Sequence, residues 1–506
     1  MGLLNLPLHA QETAPGLEVI TVTATRRAQA VESIPYNISA LSSDDIRNAG
    51  AANLQDLTRL VPGLTAGDVG PRGSGMSSNL IIRGLNVAPP GGGANNPNVT
   101  APLVTTYVDE TPMFVNLRLT DIERVEVLRG PQGTLYGSGS MGGTVRLLHT
   151  SPDPKAFAAN LDTRLSQTTA AGETNYTVEG VVNIPLGDKL ALRLSGGRDY
   201  IAGIIDADRL AVLDANGQPV LANPADPLHS GVVYTKQKDV DQADTDHLRV
   251  ALKWLPSDKV NTLFSYTRQE DHAGDFTIES PNNRYHHNAT VLSPLDRDVD
   301  LFTMDVTVDF GFASFTSASS TYDNRTHSRR NFTGLMETIT NSSPFTYGFY
   351  PRPVSTMLES STDSSVVQEF RLVSAGGRKW DWVAGAFYRD QKMTEVLDPQ
   401  LMHGLAAWSE LPGSGAAFDP IFGPGAFSTF GDFVQFYNGG LRPSQLTPTD
   451  YIFTMDRRVK LRDTAVFGEL TYHISDRWQV TGGVRLFSQS FEQRLIQILP
   501  ICGAFC

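Results

Sequence analysis

Residues 121–148 read DIERVEVLRGPQGTLYGSGSMGGTVRLL. Ile122, Val125, Val127 and Leu128 stand among Glu123, Arg124, Glu126 and Arg129, a short β-rich run with charge on one face. Gly130-Pro131 stops the run. Five glycines then fall between Gly133 and Gly143, around Tyr136, before a second apolar run over 145–148. The pattern predicts strand, glycine-rich turn region, strand. Gly137, Gly139 and Gly142 spell G-x-G-x-x-G. A dinucleotide site needs a helix opening on that motif and an acidic residue about 20 positions on. Here the run after Gly143 is β-type, and neither Asp153 nor Asp162 ends a second buried strand. The glycines are read instead as tight bends and close packing against another wall.

This stretch divides the chain into two characters. Ahead of it, 17–24 is a β-prone segment beside a loose polar tail, either the first strand of a domain or a template for pairing with another sheet edge. A strand from Ile34-Pro35 to Leu41 follows. Ser42, Ser43, Asp44 and Asp45 start a helix with acids in its first turn. Residues 53–60 read as a second short helix, with Leu54, Leu57 and Leu60 on one face and Pro62-Gly63 at its end. Strands are expected over 79–84 and 104–108, around a Pro/Gly/Asn loop at 87–100. The expected fold of this part is a small mixed α+β domain with long loops.

Behind the stretch the period changes to two. Tyr176, Val178, Gly180, Val182 and Ile184 alternate with Thr177, Glu179, Val181 and Asn183, and 185–188 turns the chain back. Hairpins repeat over 248–267, 302–322, 364–389 and 464–492. Connections are short at Gly187, Ser257, Gly311, Gly376 and Asp476. They are long over 200–244, 272–300, 325–362 and 394–460. Alternating segments with short turns at one end and long loops at the other are the signature of an antiparallel transmembrane β-barrel. Trp254, Trp380, Trp382, Tyr388, Tyr472 and Trp478 stand at strand ends, where interfacial aromatic girdles belong. About 11 strands are read.

Composition agrees and excludes alternatives. The 506 residues are 40% hydrophobic with a formal charge of −13, which argues against nucleic acid as a partner. No apolar run is long enough for a membrane helix. The two cysteines, Cys502 and Cys506, suit an exported protein, and whether they pair is left open. Residues 3–10 resemble the end of a signal-peptide apolar region. No catalytic constellation stands out: Ser138, His149 and Asp153 lack elbow or triad context, and His286-His287 read as an exposed loop pair. No enzyme, metal site or cofactor is assigned.

The first part carries a family resemblance. EVITVTATRR (18–27) resembles the TonB box of TonB-dependent outer-membrane receptors. SIPYNISALSSDDI (33–46), LQDLTRLVPGLT (54–65), LIIRG (80–84), TTYVDETPMF (105–114) and IERVEVLRGPQGTLYGSGSMGGTV (122–145) resemble their plug domain, in the family's order. The insert at 88–103 departs from the pattern and is expected to form a plug loop. The resemblance implies a tail or signal remnant over 1–16, a TonB box over 17–25, a plug over 26–155 and a transmembrane barrel over 156–506. Its box residues are Glu18, Val19, Ile20, Thr21, Val22, Thr23 and Ala24, and its plug-motif residues are Gly84, Gly130, Pro131, Tyr136 and Gly137.

The family's plug-to-barrel latch maps onto Arg83 and Arg129 in the plug and onto Glu369 and Glu469 in the barrel. Implied partners are TonB with its inner-membrane energising complex, outer-membrane lipid and an extracellular ligand. The plug and box are expected to face the periplasm. Plugged transporters of this kind carry 22 strands, so the chain is expected to hold about half of a barrel and to be a fragment. The implied function is TonB-dependent uptake of a scarce large ligand, a ferric siderophore as cargo. Uptake of a glycan, cobalamin or haem, and a non-functional truncated receptor, are the alternatives. A passive porin needs neither plug nor box.

Overall fold

The computed structural model describes residues 21–500 except 28, 32, 33, 35, 36, 67–69, 75–79, 86–102, 114, 138, 344, 346, 378, 439, 440, 447, 476 and 477. Glu18, Val19, Ile20, most of the insert at 88–103, the segment 3–10, Ser138, Cys502 and Cys506 therefore lie outside the described residues.

The N-terminal segment forms a two-stranded ribbon, β1 (Thr21–Val22) against β2 (Gln29–Ala30). β3 (Asn37–Ser42) runs into α1 (Ser43–Asn48), whose start the sequence marks. The Ser42 hydroxyl accepts from the Asp45 amide and the Asp45 carboxylate accepts from the Ser42 amide, a reciprocal cap that satisfies two orphan donors. The expected helix over 53–60 narrows to a 3₁₀ turn, Asp56–Arg59. Asn53 and Asp56 exchange side-chain to backbone bonds there, which competes with an α-helical ladder. β4 (Leu64–Ala66) pairs with β5 (Leu80–Ile82), and α2 (Gly70–Ser74) lies between them.

β6 (Val104–Val108), β7 (Thr111–Pro112), β8 (Ile122–Arg129) and β9 (Gly143–His149) complete the plug sheet in the order β3-β8-β9-β6-β7. A single short turn of helix, α3 (Gly133–Tyr136), occupies the glycine-rich region between β8 and β9. β6 runs parallel to β9. The two faces of β8 differ in what they bury. Val125 and Val127 join the core formed with Ile46, Leu54, Leu57 and Leu64. Leu128 joins a second core that contains Val22, Ala24, Leu135, Tyr136 and the later-strand residues Val367, Val383, Phe387 and Phe467.

From residue 158 the chain forms one antiparallel sheet of eleven strands. Its first members are β10 (Ala158–Ser166), β11 (Asn175–Gly187) and β12 (Leu190–Ile201). The connection after β12 carries β13 (Asp206–Ala211) and β14 (Tyr234–Gln237) of a separate small sheet. β15 (Ala243–Ser257) and β16 (Val260–Ala273) return to the wall, and β17 (His286–His287) joins β13. β18 (Leu295–Asp309) and β19 (Ala313–Asn331) lead to α4 (Thr333–Ser342). β20 (Ser355–Ser374) and β21 (Trp380–Met402) precede α5 (Leu405–Ser409), α6 (Asp419–Phe422) and α7 (Phe430–Asn438). β22 (Tyr451–Ser475) and β23 (Trp478–Ile498) end the wall.

The expected hairpins are present, with short turns at Gly187, Ser257, Gly311 and Gly376; Asp476 lies outside the described residues, and among these β10 and β23 terminate the sheet. The long connections differ from expectation. β22 has 25 residues and β21 has 23, far more than the 9–11 needed to cross a bilayer. Part of each expected loop is thus strand. The 403–450 connection is a folded helical cap whose core includes Trp408, Phe418, Phe430 and Phe433, and nothing in its sequence period announces it. No helix among the described residues is long and apolar enough to cross a membrane.

Candidate functional site: where box, plug and wall meet

The described C-terminal half of the expected box is stitched into the plug. Val22 is fully buried and Ala24 nearly so. The Thr23 amide donates to Glu126 Oε1 at 2.8 Å, and the Tyr136 hydroxyl donates to the Ala24 carbonyl at 2.6 Å. Arg146 Nη1 donates to the Thr23 hydroxyl at 2.8 Å. The chain then turns sharply. The Arg26 amide donates to the Thr23 carbonyl at 2.9 Å, and Arg26 takes a left-handed φ of 62°. A non-glycine residue in that region is uncommon, and here the side chain explains it.

That turn aims Arg26 into an ionic network shared by plug and wall. Its guanidinium pairs with Glu110, and through Nη2 with Glu369 Oε2 of β20 at 3.2 Å. Arg371, also on β20, binds Glu369 Oε1 at 2.6 Å and Glu110 Oε2 at 3.1 Å. Arg146 of β9 binds Glu110 Oε1 at 3.1 Å and Glu126 Oε2 at 2.8 Å. Tyr136 lies under Arg26, 4.6 Å from guanidinium carbon to ring centre, and meets Tyr107 edge-on at 5.2 Å. Cations over aromatic faces gain further attraction when desolvated. Arg27 extends the contact to Asp381 of β21 at 3.2 Å.

Burial opposes charge on Arg26 and Glu110, and for both the pairings outweigh it. For Arg26, burial pulls the pKa down, yet Glu369 and Glu110 together leave it raised. For Glu110, burial pushes up, and Arg371, Arg26 and Arg146 hold the carboxyl below its usual range. Tyr136 is pushed up, chiefly by burial. A buried network of this kind is stable only while complete, since removing one partner strands a charge.

A second seam fixes the far edge of the plug. Arg193 of β12 grips Asp121 with two bonds, 2.7 and 2.6 Å, the fork geometry of a strong pair. Arg118 pairs with Asp199 at 3.0 Å, and Arg297 donates to the Asn116 carbonyl at 3.0 Å. Among the described residues plug and wall are therefore held by polar contacts in both regions, and Arg72 of α2 adds a bond to the Ser293 carbonyl.

Residues 30–144 match the TonB-dependent receptor plug domain. The chain is 30% identical over 208 residues to the iron-regulated outer membrane virulence protein of Vibrio cholerae, covering 39% of this chain and 30% of that protein. It is 32% identical over 160 residues to the pesticin receptor of Yersinia pestis, covering 30% of this chain and 22% of that one. The crystal structure of the ferric yersiniabactin uptake receptor FyuA from Yersinia pestis superposes with a TM-score of 0.63 at 18% identity, over 92% of this chain and 58% of that chain. The fold is that of a TonB-dependent receptor. The chain spans under a third of the length of each of these two curated relatives.

In this receptor fold the expected latch is half displaced. Glu369 is in the plug-to-wall network, but its plug partner is Arg26, not Arg83 or Arg129. Arg129 shares a face of β8 with Val125 and Val127, which point into the plug's own core. It donates to Ser39 Oγ at 2.6 Å and to the Pro62 carbonyl at 2.9 Å, both within the plug. Arg83 sits exposed in the turn after β5, with φ 54°. Glu469 lines a cleft with Pro131, Gln132, Thr134 and Leu135, and among the described residues it has no ion pair with either expected arginine.

Of the expected plug-motif residues, Tyr136 lies at the centre of the site, Gly130 follows β8, Pro131 lines the cleft with Glu469, and Gly84 stands in the turn after β5. Gly137 has φ 78°, and a Cβ there would lie 2.9 Å from Arg485 Nη2 of β23. Sequence reasoning missed Glu110, Glu126, Arg146 and Arg371. The available signal was a charge inside an apolar run, as with Arg146 between Val145 and Leu147, where burial demands a partner. The pair His286-His287 is half right as an exposed loop pair. His286 is partly exposed, whereas His287 is buried and lies 3.4 Å from Asp275.

Proposed function

We propose that this protein is the plug-bearing part of a TonB-dependent transporter that carries a scarce, large ligand, a ferric siderophore, across the bacterial outer membrane. The observation that carries the reading is the direct connection from box to wall. Thr23, Ala24 and Arg26 are tied to Glu126, Tyr136, Glu110 and Glu369. Tension applied to the box reaches the plug-to-wall network within two residues. TonB is the partner that takes the box by strand addition from the periplasmic side. Its pull, energised from the inner membrane, strips the box from the plug, and the network then loosens. The ligand class follows the relatives, whose names speak of iron regulation and of ferric yersiniabactin uptake. The test is uptake of radiolabelled ferric siderophore by cells carrying the gene, with and without TonB. Uptake that requires TonB and falls to background in Val22→Pro supports the reading. Uptake indifferent to TonB sinks it.

A further inference from the structure

One stretch of the plug that meets the wall carries no charge. Elsewhere charged groups hold the two together: Arg26 reaches Glu369 of β20, Arg193 of β12 grips Asp121, and Arg72 bonds the Ser293 carbonyl. The glycine-rich stretch 130–142, GPQGTLYGSGSMG, contains no Asp, Glu, Lys or Arg. Its helical turn α3 faces β22 and β23 across a cleft of about 420 Å3. Gln132 and Thr134 line the plug side of that cleft, and Glu469, Gln479 and Thr481 line the wall side. The cleft lies at the end of the wall where β22 and β23 are joined by a short turn. Thr481 stands three residues after Trp478, the first residue of β23, or about 10 Å along the strand. Short turns mark the periplasmic end of such a barrel.

The same turn of helix is tied directly to the box. The Tyr136 hydroxyl donates to the Ala24 carbonyl at 2.6 Å, and both residues are buried. Gly130 and Gly137 bracket α3 with φ of 103° and 78°, conformations natural to glycine at which a short segment can swing on its ends. Against the wall α3 is held by apolar contact: Leu135 and Tyr136 share a core with Phe387 and Phe467. Such contacts have no direction and tolerate sliding, whereas a buried ion pair has to be broken and leaves its charges stranded. A pull on the box therefore reaches α3 through one hydrogen bond, and α3 has no ion pair of its own to resist it.

We propose that the plug yields on this uncharged side. Drawing out the box carries Tyr136 and α3 away from β22 and β23, and the cleft widens into the passage by which a polar cargo reaches the periplasm, while the charged side at β12 stays shut. The inference rests on the transport reading. The amides of Gln132 and Gln479 and the hydroxyls of Thr134 and Thr481 offer exchangeable hydrogen bonds, favourable enough to replace water around a polar chelate and weak enough to release it. The test joins Gln132→Cys to Gln479→Cys across the cleft with a short, reducible bis-methanethiosulfonate linker, Cys502 and Cys506 being replaced by Ser. Uptake of radiolabelled ferric siderophore is measured in cells with TonB, before and after reduction. Linked protein is expected to take up no more than cells without TonB, and reduction to restore uptake, which shows that the linked protein was folded. Thr120→Cys/Glu179→Cys, at positions whose side chains meet on the β11 side at 3.0 Å, is expected to keep transporting when linked in the same way. Transport by the linked Gln132→Cys/Gln479→Cys protein at the rate of its reduced form overturns the proposal. So does loss of uptake in both linked proteins, which would mean that the plug leaves as one body. Uptake by the unlinked parent that ignores TonB is a separate result: it removes the transport reading, and this inference with it.

Discussion

Replacing Glu369 by Gln should free the box without any change in the box itself. Glu369 is 3% exposed and holds Arg26 at 3.2 Å and Arg371 at 2.6 Å. With it, four guanidinium groups (Arg26, Arg124, Arg146, Arg371) meet three carboxylates (Glu110, Glu126, Glu369). Without it, the four cations share two carboxylates in a largely buried site. Breaking a buried pair from one side costs about 3–5 kcal/mol. Since Glu110 still serves both Arg26 and Arg371, the lower end applies, and about 3 kcal/mol is about a hundredfold in the open population. The assay is maleimide labelling of Val22→Cys, in a background with Cys502 and Cys506 replaced by Ser. Labelling reports the fraction of time a buried segment is open. Adding Arg26→Met removes the stranded cation, so the double variant should label more slowly than Glu369→Gln alone. A Glu369→Gln protein that labels within about twofold of its parent refutes the network as a latch, as does strict additivity of the two changes.

Arg83→Ala/Arg129→Ala should leave the Val22→Cys labelling rate unchanged, because among the described residues the Arg129 side chain bonds Ser39 and Pro62, both within the plug; faster labelling would restore the pairing expected from the family. Gly137→Ala should lower thermal stability by about 1 kcal/mol, since φ is 78° and the added methyl meets Arg485; adding Arg485→Ala should recover the steric part and not the backbone part, as read by melting temperature. In the plug, burial pushes the Asp109 carboxyl up, but His149 at 2.9 Å outweighs it and holds Asp109 down at about 2. A depressed carboxyl contributes stability that is complete above its unfolded value near 3.9 and is lost as pH falls toward 2. Urea midpoints should therefore drop more steeply between pH 4 and 2 in the parent than in Asp109→Asn, and parallel curves would exclude the pair as a cause.

The sequence made the wall legible because a period of two with polar turns has few other solutions. Each half-buried strand, such as the one from Tyr176 to Ile184, declares its own register. The plug was legible from its blocks and from the punctuation at Gly130-Pro131 and Pro62-Gly63. The latch was not, for a geometric reason. Which face of β8 looks at the wall depends on how the plug sits inside it, and that is set by contacts between residues over two hundred positions apart, such as Arg26 with Glu369. Alternation places Glu126 and Arg129 on opposite faces without saying which face is which. The helical cap over 403–450 was hidden for another reason. Its aromatics pack on one another, as Phe418 does on Phe433 at 3.7 Å between centroids, in segments too short to show a helical period.

The order of the contacts along the chain bears on how a plug can be firmly seated and still removable. Taken from the N-terminal side, the ties are Val22 to β2, Thr23 to Glu126 and Arg146, Ala24 to Tyr136, Arg26 to Glu110 and Glu369, and Arg27 to Asp381. A force on the box meets them one after another, so the peak load is that of one tie and not of their sum. Were the same ties spread along a strand pulled in shear, all would bear load together. Charge suits the last position in that series. A salt bridge in a poorly solvated site is strong at contact and loses its advantage once water enters between the partners. After Arg26 leaves, Glu369 and Arg371 remain paired on the wall, and Glu110 and Arg146 remain paired on the plug. The Arg371–Glu110 pair still spans wall and plug and breaks next, after which each side keeps an internal partner. That arrangement predicts an unzipping profile with small successive steps when the box is pulled from its N-terminal end. In Arg26→Met the step assigned to residue 26 should vanish while the earlier steps at Thr23 and Ala24 persist. A single large rupture in both proteins would place the load on the wall seam at Asp121 and Arg193 instead.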